Sequence, residues 1–291
     1  MHALSATLAI LGPGTLGLST AQWAAECGLA TRLLGRDQAH AQAGLREIHH
    51  RWDRAVTKGR MNRESRACSL ERLSAAAFNS AALEGASAFL EALPEVPELK
   101  APALSEAITW GSPQLLVLSG TSALPIADLA RRAGAVGRLV GFHLFVPVPR
   151  MAVVEMAIPE GTAQVWVDRA RALGAELQKQ VVQVRDQPGF AAARMSLALG
   201  LEAIRLVESG VATAEDLDTL MTLGYGHPVG PLELTDRVGL DLRLRIAERL
   251  GAGGEDRFQP PPLLTSKVRA GHTGLKAGLG FHAWPSARRR P

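Results

Sequence analysis

Ala6-Thr7-Leu8-Ala9-Ile10-Leu11-Gly12-Pro13-Gly14-Thr15-Leu16-Gly17 decides the fold class of this chain. Residues 6–11 form an apolar run short enough for a buried strand, and a helical pattern follows over residues 16–27. Between them lies G-x-G-x-x-G in the strand-to-helix setting that binds a dinucleotide. The first glycine makes the tight turn, the second lets the backbone approach a pyrophosphate, and the third permits close packing of the helix. A helix N-terminus offers an anion unpaired N–H groups and partial positive charge, so Gly12, Gly14, Thr15, Leu16 and Gly17 are candidate cofactor-binding residues. Pro13 has no N–H to offer, but its position is a variable one.

A second strand, residues 30–34, ends at Gly35-Arg36-Asp37. A site that holds the ribose 2′-hydroxyl places an acid at this strand end, whereas an arginine suits a 2′-phosphate. Asp37 is either that acid or the N-cap of a helix beginning at Gln38, and Arg36 is a candidate phosphate ligand. The expected cofactor is therefore NAD or NADP. The helix over residues 38–58 carries Arg51, Arg54, Lys58 and Arg60 at its end and exit, which reads as a solvated face in preference to an anion site. Apolar strands at 88–92 and 115–118 are each followed by a helical segment, 97–108 and 125–133. Alternating strand and helix predicts an α/β domain with a parallel, doubly wound sheet. Ser119-Gly120-Thr121-Ser122 falls at the carboxyl end of a strand, where such sheets bind ligands, with one hydroxyl expected to cap the next helix.

The chemistry concentrates in residues 139–158. Two apolar runs flank Pro147-Val148-Pro149, and each holds one titratable residue, His143 and Glu155. Adjacent strands joined by that turn would bring imidazole and carboxylate together, giving a general base oriented by an acid. The plainer alternative is two unrelated buried polar groups. After a helix at 163–177 and a strand at 181–184, Asp186-Gln-Pro-Gly-Phe190 breaks the alternation. The predicted division is residues 1–185, a Rossmann-like dinucleotide-binding domain, and residues 186–291, an all-helical domain with helices at 191–207, 214–221 and 231–250. The first of these is apolar around much of its circumference, which predicts burial against a second copy in a homodimer.

Composition excludes several classes. A hydrophobic content of 47% and a length of 291 residues predict a globular protein with two sizeable cores. Cys27 and Cys68 form neither a disulfide framework nor a metal spacing, and no apolar run reaches a membrane span, so no metal and no membrane partner are expected. The start of the chain lacks a signal-peptide pattern, and the expected location is cytoplasmic. Of the net charge of +4, Arg288, Arg289 and Arg290 supply three in an end expected to be disordered; the remainder is no nucleic-acid footprint.

Seven ordered stretches resemble the L-3-hydroxyacyl-CoA dehydrogenase family over nearly the whole chain. They are Gly12 to Gly17, Glu91-Ala-Leu-Pro-Glu95 with Lys100, Ser119-Gly-Thr-Ser122-Ala-Leu-Pro-Ile, Gly141-Phe-His143 through Pro149 to Glu155, Asp186-Gln-Pro-Gly-Phe190, Gly226-His-Pro-Val-Gly-Pro-Leu-Glu233, and Gly274-Leu-Lys276-Ala-Gly-Leu-Gly-Phe281. The resemblance implies a helical dimerisation domain, an active site in the cleft between the domains, and an acyl-CoA or related hydroxy-acid substrate. It also implies roles for single residues. His143 would be the base paired with Glu155, and Ser122 would bond the substrate oxygen. Glu95, Lys100 and Lys276 would lie near the cofactor, and Lys58 near the CoA portion. The departures matter as much. Gly35 stands where the family has an acid, and Gly120, Val146 and Ala193 stand where it has asparagines, the last at the substrate-binding start of the helical domain. Losing one oriented donor costs on the order of 2.7–4 kcal/mol of transition-state stabilisation. Two readings follow: a dehydrogenase acting on a 3-hydroxyacyl-CoA or a related hydroxy acid, or an impaired homologue that binds nucleotide or acyl-CoA in a regulatory or assembly role.

Overall fold

The structure, a computed structural model, describes residues 7–284; the arginine-rich end expected to be disordered lies outside them. It divides between Phe190 and Ala191 into two compact units.

The first unit runs β1 (Thr7–Leu11), α1 (Thr15–Glu26), β2 (Thr31–Gly35), α2 (Gln38–Thr57), α3 (Arg63–Arg72), β3 (Leu73–Ala77), β4 (Ala86–Glu91), α4 (Pro97–Trp110), β5 (Leu116–Ser119), α5 (Ile126–Ala133), β6 (Val140–Leu144), β7 (Val153–Ile158), α6 (Gln164–Glu176) and β8 (Gln180–Arg185). The strands form one sheet in the order β3-β2-β1-β4-β5-β6-β7-β8. Residues alternate between its two faces. Leu8, Ile10, Leu33, Leu90, Leu118 and Phe142 pack into one apolar layer, and Ala9, Leu11, Leu34, Phe89, Val117 and Ala157 into the other. A sheet covered on both faces produces near-continuous apolar strands, which is why these segments stand out in the sequence.

The sheet is not wholly parallel. β7 runs antiparallel to β6, and β8 is parallel to β7, so the last two strands run opposite to the rest. The connection between β6 and β7, residues 145–152, returns through a single 3₁₀ turn, Val148–Arg150, too short for the crossover a parallel neighbour requires. This reversal is what sets His143 opposite Glu155 in register.

The second unit contains α7 (Ala192–Glu208), α8 (Ala214–Thr219), α9 (Pro231–Val238), α10 (Leu240–Gly251) and α11 (Pro262–Arg269) around its own apolar core. The helix expected over residues 231–250 is two helices. Gly239 lies between them at φ +100°, a conformation a continuing helix cannot hold. Two buried carboxylates organise this unit. Asp218 accepts from the backbone N–H groups of Leu232 and Glu233, and Asp236 accepts from Phe281 N, His282 N and Trp284 Nε1 at 2.8–2.9 Å. The Gly-Pro-Leu-Glu and Gly-Leu-Gly-Phe stretches are thus scaffolding. A side chain at Gly230 would strike Asp218, and one at Gly274 or Gly280 would strike Asp236.

Candidate active site

The glycine turn has the geometry its spacing predicts. Gly12 adopts φ +107°, and a Cβ there would lie 2.7 Å from the Ala92 carbonyl oxygen; a Cβ on Gly17 would collide with the carbonyl oxygen of Gly12. Gly14 has open space where its Cβ would be. α1, which begins at Thr15, has no side-chain cap and no acidic residue in its first turn, leaving its N-terminal N–H groups and positive end for an anion. Open approach, donors and dipole together suit a pyrophosphate.

At the end of β2 the strand stops in a crowded place. A Cβ on Gly35 would lie 2.5 Å from Ala41 N and 2.9 Å from the Asp37 carbonyl oxygen, so no acid fits without moving α2. Asp37 is the N-cap of α2: its Oδ1 accepts from His40 N at 2.7 Å, and this bond, with Arg36 beside it, holds the carboxyl below the usual range. Arg36 is largely exposed.

The His143–Glu155 pair forms as the turn predicts, with Nδ1 and Oε2 3.0 Å apart. Glu155 is buried and the imidazole nearly so. The ring lies against Phe145, 4.4 Å between centroids, and near Phe190 at 6.4 Å. An ionised carboxylate only accepts, so it places the imidazole proton on Nδ1 and leaves the lone pair on Nε2.

Ser122 sits just beyond the end of the neighbouring strand: Ser119 of β5 pairs with Gly141 of β6, two residues before His143. Its loop is held by Glu95. One oxygen, Oε1, accepts from Thr121 Oγ1 at 2.5 Å, Ser122 N at 3.0 Å and Ala123 N at 3.1 Å, while the Ser122 hydroxyl stands 3.5 Å away. The cap of α5 is not a hydroxyl of this cluster. Asp186 caps it, accepting from Ile126 N at 2.8 Å and Ala127 N at 2.7 Å. The Asp-x-Pro-Gly-Phe stretch therefore ties the loop that carries Ser122 to the strand end 60 residues later.

Sequence reasoning missed the buried centre beneath this loop. Glu91, the last residue of β4, is fully buried and bonds Lys100 Nζ at 2.9 and 3.1 Å, Ser119 Oγ at 2.7 Å and Leu93 N at 2.6 Å. Burial pushes the Glu91 carboxyl up, and the ammonium pulls it back. Lys100, expected near the cofactor, is only 1% exposed and is the counter-ion of Glu91, also reaching Glu95 at 3.3 Å and the Leu93 carbonyl at 3.0 Å. The signal was available: a glutamate ending an apolar strand needs a cation, and Lys100 is the first lysine after it.

The remaining candidates have surroundings of their own. Lys58 is exposed at the end of α2. Lys276, in the second unit, pairs with Asp241 at 2.7 Å. Ala193 is the second residue of α7 and half-buried. Of the other replaced asparagines, Val146 is 43% exposed, while Gly120 sits where a Cβ would lie 2.8 Å from Leu16 Cδ2 and 3.0 Å from the Glu91 carbonyl oxygen. Among the described residues no group of three or more metal-ligating side chains occurs, and no helix is long and apolar enough to cross a membrane.

Residues 7–187 match the family described as 3-hydroxyacyl-CoA dehydrogenase, NAD binding domain, and residues 189–284 its C-terminal domain. The chain is 34% identical over 274 residues to a probable 3-hydroxybutyryl-CoA dehydrogenase of Bacillus subtilis, covering 94% of this chain and 95% of that protein. It is 31% identical over 276 residues to the 3-hydroxybutyryl-CoA dehydrogenase of Clostridioides difficile, covering 94% and 98%. Among solved structures it is similar to the (S)-3-hydroxybutyryl-CoA dehydrogenase of Ralstonia eutropha, with a TM-score of 0.91 at 30% identity over 96% of this chain and 99% of that one.

Proposed function

The chain belongs to the 3-hydroxyacyl-CoA dehydrogenase family, and from that membership we propose that it interconverts a 3-hydroxyacyl-CoA and its 3-keto form with His143 as the base. It is an NAD-dependent oxidoreductase. The observation that carries the assignment of roles is the 3.0 Å contact between Glu155 and His143 Nδ1, which leaves Nε2 to take the proton of the 3-hydroxyl. Glu155 then stabilises the imidazolium by proximity and charge. Ser122, held through its backbone N–H by Glu95, turns its hydroxyl to the same substrate oxygen. NAD, when bound, accepts the hydride from the carbon bearing that oxygen. The turn at Gly12 to Gly17 and the start of α1 would hold its pyrophosphate, and Glu95 would lie near the cofactor. Lys58 would lie near the CoA portion, and Lys276 near the cofactor. A hydroxybutyryl chain, the substrate in the relatives' names, is the first to test.

Gly35 removes the carboxylate that would repel a 2′-phosphate, and Arg36 is exposed to bind one. NADP is therefore expected to bind within about tenfold of NAD, or more tightly. Fluorescence titration of both cofactors checks this, and a preference for NAD above tenfold would show that Asp37 serves as the ribose acid while capping α2. In the second unit, Met195 and Leu199 of α7 are exposed, at 74% and 37%, together with Leu220, Leu223 and Tyr225. A second copy covers this apolar surface in a homodimer, which sedimentation at micromolar concentration detects; a species of 30.9 kDa alone would contradict it.

A further inference from the structure

Lys179, between α6 and β8, has 6% of its surface exposed. Its Nζ donates to the Val148 carbonyl oxygen at 2.7 Å and lies 4.3 Å from the centre of the Trp23 ring. A buried ammonium ordinarily faces a carboxylate, because a lone charge is costly to take out of water. Lys179 has no ion pair among the described residues. Its titratable neighbour is Cys27, whose thiol burial pushes up to about 11, so no thiolate balances the ammonium at neutral pH. Desolvation accordingly lowers the Lys179 pKa. A methionine would fill the same space without that cost. What the lysine adds is a donor directed at one carbonyl and an attraction to the indole face.

That carbonyl belongs to a residue held from its other side as well. The Val148 N–H donates to Ser19 Oγ at 2.9 Å. Val148 is fully buried, and it is the only buried residue of the connection 145–152 that joins the strand of His143 to the strand of Glu155. Ser19 and Trp23 follow Thr15 at intervals of four residues along α1, so they lie on one face of the helix whose first turn is open to a pyrophosphate. Trp23 Nε1 donates to the Leu177 carbonyl oxygen at 2.7 Å, two residues before Lys179. Val148 therefore sits in a closed circuit of contacts that runs from the cofactor helix to the turn entering β8 and back through the connection between the catalytic strands.

We propose that Lys179 and Ser19 are positioning residues for hydride transfer: by gripping the carbonyl and the N–H of Val148, they fix the strands that carry His143 and Glu155 against the helix that holds the cofactor. The inference rests on the dehydrogenase reading. Neither residue touches the reacting atoms; both act through Val148. In that reaction the proton leaves an oxygen while the hydride leaves the carbon bonded to it, so base and hydride acceptor must be placed relative to each other. A misplacement of about 1 Å costs on the order of 10²-fold in rate. One hydrogen bond leaves the segment free to swing about it, whereas directed bonds on both sides of one residue restrain it.

The test measures kcat with NAD on 3-hydroxybutyryl-CoA, well below each protein's thermal midpoint, for the wild type, Lys179→Met, Lys179→Arg, Ser19→Ala and the double variant Ser19→Ala with Lys179→Met. Lys179→Met is expected to lower kcat by about 10–100-fold while the dissociation constant for NAD stays within about threefold, because the glycine turn is untouched. The pH at which kcat/KM is half-maximal should not move, since the His143–Glu155 pair is kept. Lys179→Arg returns a donor to the Val148 carbonyl and should lose less than about tenfold. The double variant should lose less than the product of its two single losses, because both residues grip the same segment. Deuterium at the transferred position should slow Lys179→Met at least as much as the wild type, since the hydride step itself is hindered. A wild type that turns over, with Lys179→Met lowering the thermal midpoint but not kcat, overturns the positioning role and leaves the dehydrogenase reading standing. No turnover by the wild type overturns both. If Lys179→Met does not fold, Ser19→Ala decides: a kcat within about twofold of the wild type overturns the proposal, and a loss of about 3–10-fold with unchanged NAD binding supports it.

Discussion

His143→Gln is expected to lower kcat for 3-hydroxyacyl-CoA oxidation by about 10²–10⁴-fold while leaving the dissociation constant for NAD within about threefold. The effect is large because glutamine cannot take the proton that must leave the 3-hydroxyl as hydride departs. The cofactor term stays small because the glycine turn and the start of α1 are built from other residues. Glu155→Gln keeps the shape of the partner and removes its charge, so it should cost less, about 10–100-fold in kcat. The ring would retain a hydrogen-bond partner on Nδ1, but the imidazolium formed in the reaction would lose its counter-charge. Steady-state kinetics on both variants, with NAD titrated separately, reads the difference. Equal and small losses from the two would remove the dyad from the mechanism.

Lys100→Met should destabilise the protein by about 3–5 kcal/mol, because it leaves the Glu91 carboxylate buried with no counter-ion. With the ammonium gone, burial pushes the Glu91 carboxyl further above its ordinary value. A carboxyl raised in the folded state holds its proton more tightly there than in the unfolded chain. The variant is therefore expected to be most stable below the ordinary glutamate value of about 4.3 and to lose stability as pH rises from there through the folded value. Urea midpoints across that range test the sign. Adding Glu91→Gln to Lys100→Met should recover most of the loss, since no charge then remains buried. A single variant within about 1 kcal/mol of the wild type would show that the pair is not what holds the loop at Ser119 to Ala123.

The fold was legible where residues had one physical task. Gly12 and Gly17 must be glycine because another backbone segment occupies the space of their Cβ atoms, and that requirement appears as spacing. The two buried runs at 139–158 each carried one polar residue, and the short connection left antiparallel pairing as their available arrangement, so His143 and Glu155 were found. Elements with weak local preference were not found. β3 is Leu73-Ser-Ala-Ala-Ala77, without a β-branched or aromatic residue, and it is a strand because Gly35 and its neighbours in β2 pair with it. The preceding helix, α3, buries little besides Ser69 and shows almost no apolar stripe. Asp37 carried two readings, and hydrogen bonding to His40 N favours the cap. The long-range polar contacts were the least accessible. Asp186 capping a helix 60 positions earlier leaves no periodic trace, and Arg243 looks like any solvated arginine until its burial is seen.

The chain is proposed to oxidise a 3-hydroxyacyl-CoA although Gly120, Val146 and Ala193 stand where the family it resembles has amides, and one pair of rates tests this most directly. Wild type and Ala193→Asn are assayed with NAD on 3-hydroxybutyryl-CoA, following reduced cofactor. The wild type should turn over, and Ala193→Asn should raise kcat/KM by up to about 10²-fold, because an oriented donor returns to the oxygen on which charge develops. Binding of both cofactor and acyl-CoA without turnover by either protein would contradict the account and identify the chain as a binder that has kept its base without using it.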